Sequence, residues 1–211
     1  MTLLAIALAA FVGTHFLLSH PLRDPLAKRL GEAGFRGVYT VIALATFGGA
    51  IWAYGRIGRQ EAFWAPSEAV WIAAAVLMWI ASILLFGSFF GNPALPGAPR
   101  ADRPRGVLAI TRHPMMWSFA IWAIVHGAVI ATPKALLLDG AIVFLALAGA
   151  AGQDVKKRRI FGDKWDAWVA QTSFLPFGNG LASPGLKALV GGTLFYLLAT
   201  WLHPLSVGVW R

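Results

Sequence analysis

Residues 69–99 read AVWIAAAVLMWIASILLFGSFFGNPALPGAP, thirty-one positions without an Asp, Glu, Lys or Arg. A helix crossing a bilayer needs about 20 consecutive apolar residues, so this one run already points to lipid. Five more charge-free runs flank it, at 1–22, 37–55, 113–133, 140–153 and 188–210. They are continuous rather than alternating with period two, which argues against a β-barrel. The run 140–153 is short, so its helix has to begin near Ala135 and carry Asp139 into the apolar layer. The expected fold is all-α: a polytopic membrane bundle of about six transmembrane helices, one transmembrane domain over residues 1–211.

Composition agrees. The chain is 58% hydrophobic and 13% charged, with a mean hydropathy of +0.66. Soluble domains are roughly a quarter charged, so a soluble enzyme, a disordered tail and a coiled coil are all poor readings. Without cysteine there is no disulfide, thiolate metal ligand, iron–sulfur cluster or cysteine nucleophile. Met1 and Thr2 bring no positive charge before the first apolar run, and His15, His20 and Pro21 follow it. That pattern reads as a retained helix rather than a cleaved signal.

The net charge of +9 is unevenly spread. The connections 19–36, 89–112 and 153–187 hold 14 of the 18 basic residues, leaving Arg56, Arg59, Lys134 and Arg211 for the other side. Basic loops stay in the cytoplasm. The alternation therefore supports six spans, with both termini outside and the chain in the cell inner membrane. It also accounts for the basicity without nucleic acid as a partner. Trp52, Trp64, Trp71, Trp201 and Trp210 fall near expected outer ends, as an aromatic belt would. Residues 91–99 form a Pro/Gly breaker. Between Asp154 and Phe177, Ile160, Phe161, Trp165, Trp168 and Val169 recur at helical spacing among bases. That spacing predicts an amphipathic helix on the inner surface.

Ionisable groups inside a bilayer are costly and default to functional suspects. Here they are the five histidines, Asp139, and Arg112 at the start of the fourth helix. Neutral imidazole suits a transition metal without adding charge to the bilayer. His113 and His126 lie 13 residues apart on one helix. That is about 20 Å of rise and nearly opposite faces, so they cannot share an ion. Pro114 suits the first helical position and puts His113 at the inner end. A histidine at a helix end is an ordinary interfacial cap, the plainer reading of His20 and His203. For His15 and His126, set deeper, structural and ligand roles both stay open. Spacing yields no metalloprotease motif, carboxylate pair, nucleophile elbow or phosphate loop.

A resemblance narrows this. Thr14-His15-Phe16-Leu17-Leu18-Ser19-His20-Pro21-Leu22-Arg23 is followed by Leu30-Gly31-Glu32 and Gly34-Phe35-Arg36-Gly37-Val38-Tyr39. Thr111-Arg112-His113-Pro114 and Trp122-Ala123-Ile124-Val125-His126 come later. From about residue 3 to about residue 180 the chain resembles the NnrU family of multi-pass membrane proteins, whose name is associated with denitrification. That family is similar to the 15-cis-zeta-carotene isomerases. The resemblance implies haem b held by two histidines, matched here to His15 and His126. It also implies a hydrophobic small-molecule substrate undergoing cis–trans isomerisation, or redox sensing linked to nitrogen-oxide respiration. Depth tests the pair. His15 lies about 12 Å from Arg23, His126 about 21 Å from Arg112, and His203 about 24 Å from Lys187 along their helices. By depth His203 is the better partner for His126, whereas the resemblance implies His15.

The chain is also similar to isoprenylcysteine carboxyl methyltransferases. It shares the Arg112-His113-Pro114 opening, Phe161-Gly162-Asp163-Lys164-Trp165 with Trp168, and Phe174-Leu175-Pro176. That likeness implies S-adenosylmethionine bound through Arg112, His113 and the 156–168 segment. Gln153-Asp154-Val155-Lys156-Lys157-Arg158-Arg159 departs from its acidic pattern. A third expectation is a non-enzymatic accessory factor of denitrification, with protein partners that the sequence does not specify.

Overall fold

The computed structural model describes residues 1–92 and 103–207, with side chains as far as His203. Most of the expected breaker 91–99 lies outside the described residues. Among the described residues there are eight helices: α1 (Thr2–Ser19), α2 (Arg23–Gly55), α3 (Glu68–Gly87), α4 (Val107–Ile110), α5 (Pro114–Ile130), α6 (Pro133–Phe161), α7 (Asp163–Gln171) and α8 (Leu186–Val207). No strand occurs among the described residues.

Helices α1, α2, α3, α6 and α8 are long and apolar enough to cross a membrane. Helix α5, with 17 residues, spans about 25 Å and packs between α3 and α6 as the sixth member. Local chemistry sets the helix starts. Ser67 caps α3 by accepting the Val70 amide, while Pro114 and Pro133 occupy first-turn positions where a missing N–H costs nothing. Ala131, at φ 52°, turns the chain sharply from α5 into α6.

Two connections differ from expectation. The stretch 19–36 is largely helical: α2 begins at Arg23 and kinks at Gly31, where φ is 72° and ψ is 165°. Its charges pair, Arg23 with Asp24 and Glu32, and Asp24 with Arg159, so this helical turn needs no burial in lipid. The expected amphipathic surface helix is divided. Ile160 and Phe161 end α6, and α7 turns Trp165 and Trp168 onto Leu108 of α4. Those two indoles are buried against protein rather than laid on the bilayer.

The long helices pack in the order α2–α1–α6–α5–α3–α8. Leu4, Leu8, Ala50, Ala53 and Leu138 weld α1, α2 and α6, while Ile83, Leu84, Val107, Ile110 and Ala188 weld α3, α4 and α8. The row curls around a central cavity that all six long helices line. Its end members α2 and α8 make no extended contact with each other among the described residues. One end of the bundle is basic, carrying Arg23, Arg112 and Lys156–Arg159.

Candidate functional site

The central cavity measures about 950 Å³, and its walls are mostly apolar. His15, His20, His126 and His203 all line it. Helix directions put His15 and His20 toward the basic end, with His126 and His203 toward the opposite end.

His126 is held in one orientation. Its Nδ1 lies 2.8 Å from the Trp122 carbonyl oxygen. A carbonyl can only accept, so Nδ1 carries the proton and Nε2 presents its lone pair. The Trp122 indole stacks on the ring, with centroids 4.1 Å apart and planes 28° apart. The His203 ring is also near, 6.4 Å from it centroid to centroid. This pairing crosses from α5 to α8, both of which pack on α3. Trp79 fixes that packing by donating its indole N–H to Thr193 at 2.9 Å.

His15 repeats the tautomer lock on α1, its Nδ1 donating to the Phe11 carbonyl at 2.7 Å. Its ring meets Phe11 and Tyr39 edge-on, at 4.5 and 5.5 Å. Ser19 donates to the Tyr39 hydroxyl at 3.4 Å. His20 lies against α6 where Gly152 leaves room: a Cβ there would fall 2.8 Å from His20 Nε2. Burial, then the neighbouring Lys156 and Arg159 cations, hold His20 below the ordinary imidazole range.

Arg112 and His113 do not line this cavity. They form a clamp at the basic end. Arg112 reaches Asp154 Oδ2 through Nε at 2.8 Å and Nη2 at 2.7 Å, and His113 Nε2 donates to Oδ1 at 2.9 Å. The Arg112 amide donates to the Ser173 carbonyl, while the Thr111 hydroxyl and the Trp117 indole both donate to the Phe174 carbonyl. Phe174 lies under the Arg112 guanidinium at 5.4 Å and beside the His113 ring at 5.3 Å. The motif that opens α5 thus ties α6 and the segment after α7 to it. His113 Nδ1 is buried without a hydrogen-bond partner among the described residues.

Asp139 sits apart from both. It is 5% exposed and borders a smaller cavity of about 330 Å³ with Trp64, Gly127 and Leu136. Tyr39 and Phe174 entered the sequence reading only inside family motifs, Lys156 only within the 156–168 segment, and Asp154 only as the edge of the amphipathic stretch and a departure from a pattern. For Asp154 a signal existed, a lone acid between an apolar run and four bases.

The chain is 25% identical over 175 residues to the chloroplastic 15-cis-zeta-carotene isomerase of Arabidopsis thaliana, covering 74% of this chain and 44% of that one. It is 28% identical over 110 residues to the Zea mays protein of the same name, covering 48% and 30%. The chain therefore spans less than half the length of these curated relatives. No solved structure is a significant match. The NnrU protein model matches residues 3–211, and the chain, a membrane helix bundle, belongs to the NnrU family.

Proposed function

We propose that this protein is a membrane-embedded, haem b-dependent cis–trans isomerase of a long apolar polyene. The observation that carries the reading is the cavity around His126: about 950 Å³, lined by six helices, with an imidazole in its wall whose Nδ1 proton is committed to its own helix. Its size is near the top of the roughly 300–1,000 Å³ range of small-molecule and cofactor sites. The names of the two plant relatives supply the substrate class.

The donor set suits a porphyrin. Protein sites for a bare metal ion use about three or four side-chain ligands, and no group of three His, Asp or Glu able to hold one occurs among the described residues. A porphyrin brings its own four nitrogens and asks only for axial ligands. His126 lines the cavity with Nδ1 tied to a backbone carbonyl, and His15, tied likewise, and His203 line it as candidates for a second ligand. Such a tie orients a ligating ring and raises its basicity. When bound, haem would supply one-electron chemistry and an iron that a histidine can hold or release.

The chain's own residues supply the rest. Cis–trans isomerisation transfers no atom, so the site needs room and grip rather than an acid–base pair. Phe47, Phe119 and Trp122 offer aromatic faces along the cavity, and Met78 offers a deformable one. Among the described residues α2 and α8 make no extended contact with each other, which offers an apolar molecule a side route from lipid. Following the positive-inside rule, we put the basic end in the cytoplasm, with both termini outside the inner membrane.

The test is an absorption spectrum of the full chain, extracted in detergent after expression with haem supplied, oxidised and then reduced. A Soret band is expected, lost in His126→Ala, together with conversion of an added cis-carotenoid followed by chromatography. Colourless protein with its histidines intact would overturn the reading.

A further inference from the structure

We infer that the axial partner of His126 in this chain is His203 of α8, not His15 of α1. The inference rests on the haem reading above and deepens it. Two imidazoles that ligate one metal from opposite sides have a set separation. With metal–nitrogen bonds of about 2.0–2.1 Å, and about 1.1 Å from each nitrogen to its ring centre, the centroids stand about 6.3 Å apart. The His126 and His203 rings are 6.4 Å apart, with planes 40° apart. The rings face the same cavity. Each belongs to a helix anchored on α3, α5 along its length and α8 through close contact. Gly192 brings α8 in so far that a Cβ there would lie 2.5 Å from Ile83 Cα.

Depth points the same way. His126 is 12 residues beyond the start of α5 and His203 is 17 beyond the start of α8, both rising from the basic end. His15 is four residues from the basic end of α1, so it lies nearer that end by roughly 12 Å than His126 does. Its ring neighbours are Phe11 and Tyr39. His15 then stands beside the remaining space of the cavity, at the end where Tyr39, Ser19 and His20 add polar atoms.

Ferric absorption and low-temperature electron paramagnetic resonance of the haem-loaded full chain decide the matter. The intact protein is expected to be six-coordinate and low-spin. His203→Ala is expected to keep haem but turn high-spin, and to return to low-spin when free imidazole is added. His203→Met covers the case in which the alanine variant does not fold: ligation there would show as a histidine–methionine spectrum. His15→Ala is expected to stay low-spin. High-spin His15→Ala with low-spin His203→Ala overturns the inference and leaves the haem reading standing. Low-spin spectra in both alanine variants overturn it too, since another group would then be the ligand. No Soret band in the intact protein removes the haem reading and this inference with it.

Discussion

His113 and His126 sit on the same helix, and the structure uses them in opposite ways. His113, 3% exposed, spends its Nε2 on Asp154 and packs on Phe174 within a web that reaches α6 and the segment after α7. His126 spends its Nδ1 on its own helix and lines a large apolar space. One nitrogen's partner decides what the other can do. A carboxylate partner makes an imidazole a brace. A backbone carbonyl partner leaves the second nitrogen uncommitted to the scaffold.

The largest effects should come from breaking the brace. Asp154→Ala leaves Arg112 without its carboxylate in a partly buried position. Removing one member of such a pair costs about 3 kcal/mol, read as an earlier unfolding midpoint when detergent-solubilised protein is titrated with SDS. The protein that remains folded should keep an unaltered Soret band. A changed band at unchanged stability would mean that the clamp belongs to the cofactor site. The converse variant, His126→Ala, should reduce haem retention by at least about tenfold, since even outer-sphere changes at metal sites cost about 10–100-fold. Its SDS midpoint without haem should move little. A collapse of the apoprotein would assign His126 a structural role.

The contrast was only half legible in the sequence. Charge-free runs fixed the helices, because the cost of lipid exposure acts on each segment separately. The start of α2 at Arg23 was missed because its charges neutralise one another through pairs up to 135 residues apart. The burial of Trp165 and Trp168 was missed because periodicity reports an apolar face and not what covers it. Residues 126 and 203 meet only because α5 and α8 share α3 as a platform. Helix depth carried a trace of that meeting, the one signal available without tertiary packing. Asp154 stood out locally as a lone acid before four bases, but its partners lie about 40 residues earlier and nothing local named them.

A smaller effect sharpens the His126 side. Gly192→Val places branched atoms where a Cβ alone would be 2.5 Å from Ile83 Cα, overpacking worth about 1–3 kcal/mol. Helix α8 should shift away from α3 and take His203 with it, giving a high-spin fraction in the ferric spectrum. Gly140→Ala on α6, where a Cβ meets nothing within 4 Å, is the matched control and should leave the spectrum unchanged. A wild-type spectrum for Gly192→Val would show that α8 does not set the iron's ligation.

The smallest effect separates the two supports of the His126 ring. Trp122 contributes a main-chain carbonyl that accepts from Nδ1 and an indole that stacks on the imidazole. Trp122→Leu deletes the second and keeps the first, since any residue in the helix carries the carbonyl. An aromatic stack is worth about 0.5–1.5 kcal/mol, so haem should dissociate about two- to tenfold faster with an unchanged Soret position. Transfer of haem to apomyoglobin measures that rate. Loss of haem as complete as in His126→Ala would mean that the indole, and not the carbonyl, holds the ring. The contrast with His113 would then rest on packing rather than on which nitrogen is protonated.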